Sequence, residues 1–150
     1  MPADSTNQCQ FEADQLTFKL KVTLAADKAA VDQVVQGIMG VVRQVQCIDG
    51  KEDAIELALA EALANAVVHG CKSDPSKVIE CDVACDEQRG ILIVVRDPGT
   101  GFDPKDIPNP VRGENIYSTH GRGIYLINQL MDEVKFANNG TEIHMLKRRT

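Results

Sequence analysis

Residues 15–24, QLTFKLKVTL, place Leu16, Phe18, Leu20, Val22 and Leu24 at alternate positions with polar residues between them. A period of two predicts a half-buried strand. After Asp27 the period changes. Val31, Val34, Val35, Ile38, Val42 and Val45 recur at helical spacing, which predicts a helix over about 27–47 capped by Asp27. Gly37 and Gly40 weaken this helix, and close packing against a neighbour is the expected reason. Asp49-Gly50 breaks the chain, and a second helix follows that Gly70 is expected to end. Residues 77–86 (KVIECDVACD) and 91–97 (ILIVVRD) read as strands joined by a short turn. The second is apolar on both faces and is expected to be central and covered. Residues 98–120 show no clear period. A helix is predicted over 121–132, then a hairpin, EVKFA and TEIHMLK, turned at Asn138-Asn139-Gly140.

The order is therefore β, α, α, β, β, loop, α, β, β. Short turns make strand neighbours antiparallel, and helices with one apolar face need a sheet to bury it. The expected fold class is α+β, a two-layer α/β sandwich with helices on one face of a mixed, mainly antiparallel sheet. The 150 residues fit one domain over 15–150 behind a loose tail, 1–14.

Composition narrows the function. The chain is 43% hydrophobic and 25% charged, ordinary for a globular protein. A net charge of −6 argues against direct nucleic-acid binding, which needs a basic surface, but leaves room for a small phosphate ligand in a local pocket. No run of eighteen apolar residues is present, so no membrane span is expected. The N-terminus is polar and acidic, unlike a signal peptide, and the cytoplasm is the default compartment. The five cysteines lack zinc-site spacing; Cys81 and Cys85 share a strand face with Ile79 and Val83 and read as core residues. His144, out of phase with Ile143 and Met145, reads as exposed.

The candidate chemistry begins in the second helix. ELALAEALANAVVHG (56–70) is nearly apolar, yet Glu61 and Asn65 stand in its middle, one turn apart. Ile55, Leu59, Ala62, Leu63 and Ala66 form its core stripe. Ala54, Ala58, Glu61, Asn65 and His69 lie beside it, where small residues leave space above the polar pair. Two glycine clusters follow. RDPGTGFDP (96–104) puts a carboxylate, Asp97, at a strand end beside Gly99 and Gly101; such a carboxylate can accept a hydrogen bond from the exocyclic amine of adenine. HGRGIYL (120–126) opens a helix with Gly121 and Gly123, where free amides suit phosphate.

Four motifs in order, Glu61-Ala-Leu-Ala-Asn65, Asp97-Pro-Gly-Thr-Gly101, Gly121-Arg-Gly123 and Gly140-Thr141, resemble the GHKL (Bergerat-fold) ATPase superfamily. Over about 15–148 the wording is similar to the anti-sigma factor serine kinases of the RsbW and SpoIIAB type. The resemblance implies ATP and ADP as ligands with Mg²⁺, Glu61 as general base toward an incoming hydroxyl, and Asn65 as the metal ligand. It implies Asp97 as the adenine selector with Thr141 as helper. Gly99, Gly101 and Phe102 would lie against the base and sugar, and Gly121, Arg122 and Gly123 at the phosphates. His69 is a further candidate ligand contact, and 102–120 the nucleotide lid. The implied partners are a STAS-domain anti-anti-sigma protein, an alternative sigma factor and a second copy of the chain; the 27–47 helix and first strand are candidate surfaces for the last. Two rival readings stand beside this one. One is a non-catalytic nucleotide-sensing module. The other is a detached histidine-kinase ATPase domain, against which stands the lack of room for a phosphoacceptor helix pair ahead of residue 15.

Overall fold

The computed structural model describes residues 18–101 and 119–149. The elements are β1 (Phe18–Ala25), α1 (Lys28–Val45), α2 (Glu52–Asn65), β2 (Val78–Asp86), β3 (Gly90–Arg96), α3 (Thr119–Leu130), β4 (Glu133–Ala137) and β5 (Glu142–Arg148). The strands form one sheet in the order β1-β2-β3-β5-β4. All four pairings are antiparallel. The α+β sandwich is as expected, and the mixed, mainly antiparallel sheet narrows to a wholly antiparallel one among the described residues. The expected tail, 1–14, and Phe102 lie outside those residues. So does the expected lid, apart from the first two positions of α3.

Each element follows from its pattern. The alternation in β1 turns Leu20, Val22 and Leu24 toward the core while Lys19, Lys21 and Thr23 remain exposed. Asp27 caps α1: its Oδ1 accepts the Ala30 amide at 2.8 Å, a contact typically worth about 1 kcal/mol. Gln46, at φ +53, ends the helix in the left-handed region. Among the described residues the expected packing at Gly37 and Gly40 is absent: a Cβ at either would meet nothing within 4 Å. α2 starts without a side-chain cap, but Glu52 and Asp53 in its first turn suit the positive end of the helix dipole.

β3 is central, as its apolar run requires. Ile91, Ile93 and Val95 join Ile79, Cys81 and Val83 of β2 and Ile143 and Met145 of β5 in a core shared with Ile38, Met39, Ile55, Leu59, Leu63 and Ile127 of the helices. On its other face Leu92 and Val94 form a small cluster with Leu146. The helix layer thus covers one face, and the other carries the buried cluster of Leu92, Val94 and Leu146.

Two further sequence readings change. Cys81 and Cys85 are buried as expected, but Cys85 is joined by a disulfide to Cys47 in the α1–α2 connection, 38 residues away. A tertiary contact across that separation leaves no spacing signal. Cys71 and Cys81 are free and buried; burial pushes the Cys81 thiol up to about 12. His144 is not exposed. Its side chain is 13% accessible and its Nε2 lies 3.1 Å from Glu142 Oε1.

Candidate functional site

α2 presents Glu61 and Asn65 one turn apart, both partly accessible, beside the fully buried stripe of Ile55, Leu59 and Leu63. The helical segment ends at Gly70, as expected, with Cys71 as its cap residue. Before that end it widens into a π-helical turn, Ala66–Gly70, in which the Cys71 amide reaches the Ala66 carbonyl at 2.8 Å. Such turns recur at functional sites because they re-aim side chains without breaking the helix. Here the turn carries His69 to the rim of a cavity. Burial, then the charge of Lys72, lowers the His69 pKa, so the imidazole is neutral at pH 7.

The opposite wall comes from the ends of β3 and β5. The Asp97 amide donates to the Thr141 carbonyl at 3.0 Å, and Asp97 Oδ1 accepts the Gly99 amide at 2.8 Å. Two backbone approaches explain the glycines. A Cβ on Gly70 would run into the Asp97 carboxyl, and one on Gly101, at φ +81, into the Asn139 carbonyl. Thr141 Oγ1 donates to the Asn138 carbonyl at 2.8 Å, so its remaining capacity is as an acceptor. Burial raises the Asp97 carboxyl above the usual carboxylate range, and the Gly99 amide partly opposes the shift.

Between the walls lies a cavity of about 210 Å³. Asn65, His69, Asp97, Gly101 and Thr141, five of the sequence candidates, line it. Its apolar surface comes from Ala62, Ala66, Val95, Ile124, Phe136 and Ile143. An apolar slot with a few convergent polar groups is the usual form of a small-molecule site. Gly70 and Phe136 were not legible as site residues. Gly70 reads in the sequence as a helix stop, and Phe136 as one more apolar position in a hairpin.

α3 closes the third side. A Cβ on Gly123 would sit 3.0 Å from Asn65 Nδ2 and 3.1 Å from Glu61 Oε2, so glycine lets α3 approach the polar pair. Gly121 belongs to the first turn of the same helix, and the Arg122 side chain is exposed. Gly99 packs on the Gly70 carbonyl rather than lining the cavity. Among the described residues no cluster of three His, Cys, Asp or Glu side chains could hold a metal ion alone. A hard cation at Asn65 would take its other ligands from phosphate oxygens and water, which is how Mg²⁺ is usually bound. The donor set fits that ion.

Fold and site together define a class: an antiparallel sandwich with a ligand slot between one helix and the ends of the central strands. The histidine kinase-like ATPase domain family matches residues 24–147, and the chain belongs to it. Its relatives include serine-protein kinase RsbW of Bacillus licheniformis, 33% identical over 106 residues, covering 66% of this chain and 65% of the relative. RsbW of Bacillus subtilis (strain 168) is 32% identical over 100 residues, 62% of each chain. The anti-sigma F factor of Bacillus cytotoxicus is 29% identical over 98 residues, 62% of this chain and 66% of the relative. The matched regions thus span about two thirds of the lengths of these relatives.

Proposed function

We propose that the chain is an ATP-dependent protein serine/threonine kinase acting as an anti-sigma factor in a partner-switching system. One observation carries the reading: Glu61 and Asn65 stand one turn apart on α2 where Gly123 of α3 approaches both, and Asn65 lines the same slot as Asp97. Relatives named serine-protein kinase and anti-sigma F factor support it.

In this reading Asp97 accepts the adenine amine, and Thr141 accepts from the same group or from a bound water. The apolar walls hold the ring. The triphosphate runs toward Asn65 and the first turn of α3 at Gly121, with Arg122 turning toward it and Gly123 letting the helix approach, while Phe102 and Gly101 flank the base and sugar and Gly99 lets the Gly70 carbonyl pack behind them. Mg²⁺, held by Asn65 and phosphate oxygens, supplies charge neutralisation at the transferring group. Glu61 takes the proton of the incoming hydroxyl. Residues 102–120 serve as a lid on a single domain, 15–150. The partners are a STAS-domain anti-anti-sigma protein, phosphorylated on Ser or Thr, and an alternative sigma factor, bound by a homodimer in the cytoplasm. Among the described residues no helix is long and apolar enough to cross a membrane.

The test is phosphotransfer from Mg-ATP to a STAS-domain protein encoded beside this chain, read by intact mass and acid stability. An acid-stable gain of one phosphoryl group on Ser or Thr supports the kinase. An acid-labile product points to a histidine-kinase activity. ATP binding without transfer points to a sensor module.

A further inference from the structure

The face of the sheet turned away from the helices carries a polar network directly behind the proposed adenine end. Arg96, the last residue of β3, and Glu142, the first of β5, are cross-strand partners. Each is the chain neighbour of a pocket residue: Arg96 of Asp97, Glu142 of Thr141. Strand alternation sends one of each pair into the slot and the other behind it.

Glu142 is the hub. Its Oε1 lies 3.5 Å from Arg96 Nε and 3.1 Å from His144 Nε2. Its Oε2 accepts the side-chain amide of Asn138. Arg96 is held from the other side by Asp82, Nη1 to Oδ2 at 2.6 Å. The Glu142 side chain is 15% accessible, so its carboxylate is largely removed from water and its orientation is fixed by these partners.

The Asn138 contact matters most for the slot. The turn holding Thr141 contains two non-glycine residues at positive φ, Asn138 at 51° and Asn139 at 59°. That backbone is seldom adopted without support. The support is local: the Asn138 carbonyl accepts both the amide and the hydroxyl of Thr141, at 3.2 and 2.8 Å, and the Asn138 side chain is anchored on Glu142. The same turn presents the Asn139 carbonyl against which Gly101 packs. Asp97 is tied to it through its amide and the Thr141 carbonyl. One carboxylate oxygen thus fixes the turn that aims Thr141, and the other engages the strand end that aims Asp97.

We propose that Glu142 is a positioning residue for purine recognition: it sets the pocket's preference for a 6-amino purine by holding Thr141 through Asn138 and Asp97 through Arg96, without touching the ligand. The inference rests on the nucleotide reading of the slot. The network is part-buried, with Arg96 31% and Glu142 15% accessible, and its contribution to stability is read separately by thermal unfolding. Its value lies in register and aim.

The test compares ATP with inosine triphosphate, in which a carbonyl replaces the 6-amino group. Dissociation constants for both are measured by calorimetry on the wild type, Glu142→Ala and Glu142→Gln, with thermal unfolding alongside. The wild type is expected to prefer ATP by roughly tenfold or more, the scale of one buried hydrogen bond to a charged group. Glu142→Ala should shrink that preference at least fivefold while inosine triphosphate affinity stays within about twofold. Glu142→Gln, which keeps an acceptor for Asn138 but loses the charge facing Arg96, should fall between; it carries the test if the alanine variant does not fold. Equal weakening of both nucleotides, with the preference intact, would overturn the proposal, because a merely structural role predicts that pattern. A wild type that does not distinguish the two nucleotides would instead overturn the adenine assignment of the slot, and this inference with it.

Discussion

Gly123 on α3 stands so close to Asn65 on α2 that an added Cβ would lie 3.0 Å from the Asn65 amide nitrogen. Two effects oppose each other when Gly123 becomes Ala. Helix propensity favours alanine by about 1 kcal/mol. The added methyl group must push aside the ends of Asn65 and Glu61, which are flexible enough to move. Gly123→Ala is therefore expected to fold with an unchanged or higher melting temperature and to bind Mg-ATP roughly tenfold more weakly. Thermal unfolding with and without Mg-ATP reads both effects.

Gly70 and Gly37 offer a paired comparison. A Cβ on Gly70 collides with the Asp97 carboxyl, whereas one on Gly37 meets open space. Gly70→Ala should displace Asp97 and cost at least tenfold in ATP affinity. Gly37→Ala should raise stability by about 0.5–1 kcal/mol in denaturant unfolding and leave ATP affinity unchanged.

Asp97 and His69 give stability a pH dependence of stated sign. Burial raises the folded pKa of Asp97 above its ordinary 3.8. The native state then holds its proton more tightly, so stability falls as pH rises from about that value through the raised one, and the ionised carboxylate opposes folding at neutral pH. Asp97→Asn should raise the melting temperature of the ligand-free protein at pH 7 while weakening ATP binding roughly 10- to 100-fold. The folded pKa of His69 is instead lowered from 6.5. Its contribution is present above that value and is lost as pH falls through the folded one. His69→Gln should flatten stability between about pH 6.5 and the lowered value, as read by unfolding across a pH series.

Much of this site is legible in the amino-acid sequence. Glu61 and Asn65 stand out because helical period alone puts them on one face, and Asp97 because a strand ends there among glycines. What is illegible depends on long-range contact. Gly70 matters because Asp97, from another element, fills the space where its side chain would be. The π-helical turn at Ala66–Gly70 has no pattern that distinguishes it from a helix end. His144 alternates out of the core, yet it is covered, because the back of the sheet has its own polar network around Glu142. Cys47 and Cys85 meet only because the α1–α2 connection passes the end of β2.

The Cys47–Cys85 disulfide closes a loop containing all of α2 and the π-helical turn. Cross-links over loops of this length stabilise by about 2–4 kcal/mol. Reduction, or Cys47→Ser, should lower the melting temperature by roughly 5–15 °C, since each kcal/mol moves a domain of this size by a few degrees. Differential scanning fluorimetry with and without reductant checks this. Thiol counting under denaturing conditions should find three reactive cysteines before reduction and five after.

The kinase reading depends above all on α2 carrying both the base and the metal ligand. The decisive measurement is the split between binding and transfer in Glu61→Ala, with the STAS-domain partner and Mg-ATP. The expected result is an ATP dissociation constant within about threefold of wild type and a phosphotransfer rate reduced at least 10²-fold, the scale on which general bases contribute. Transfer at the wild-type rate, with binding intact, would contradict it.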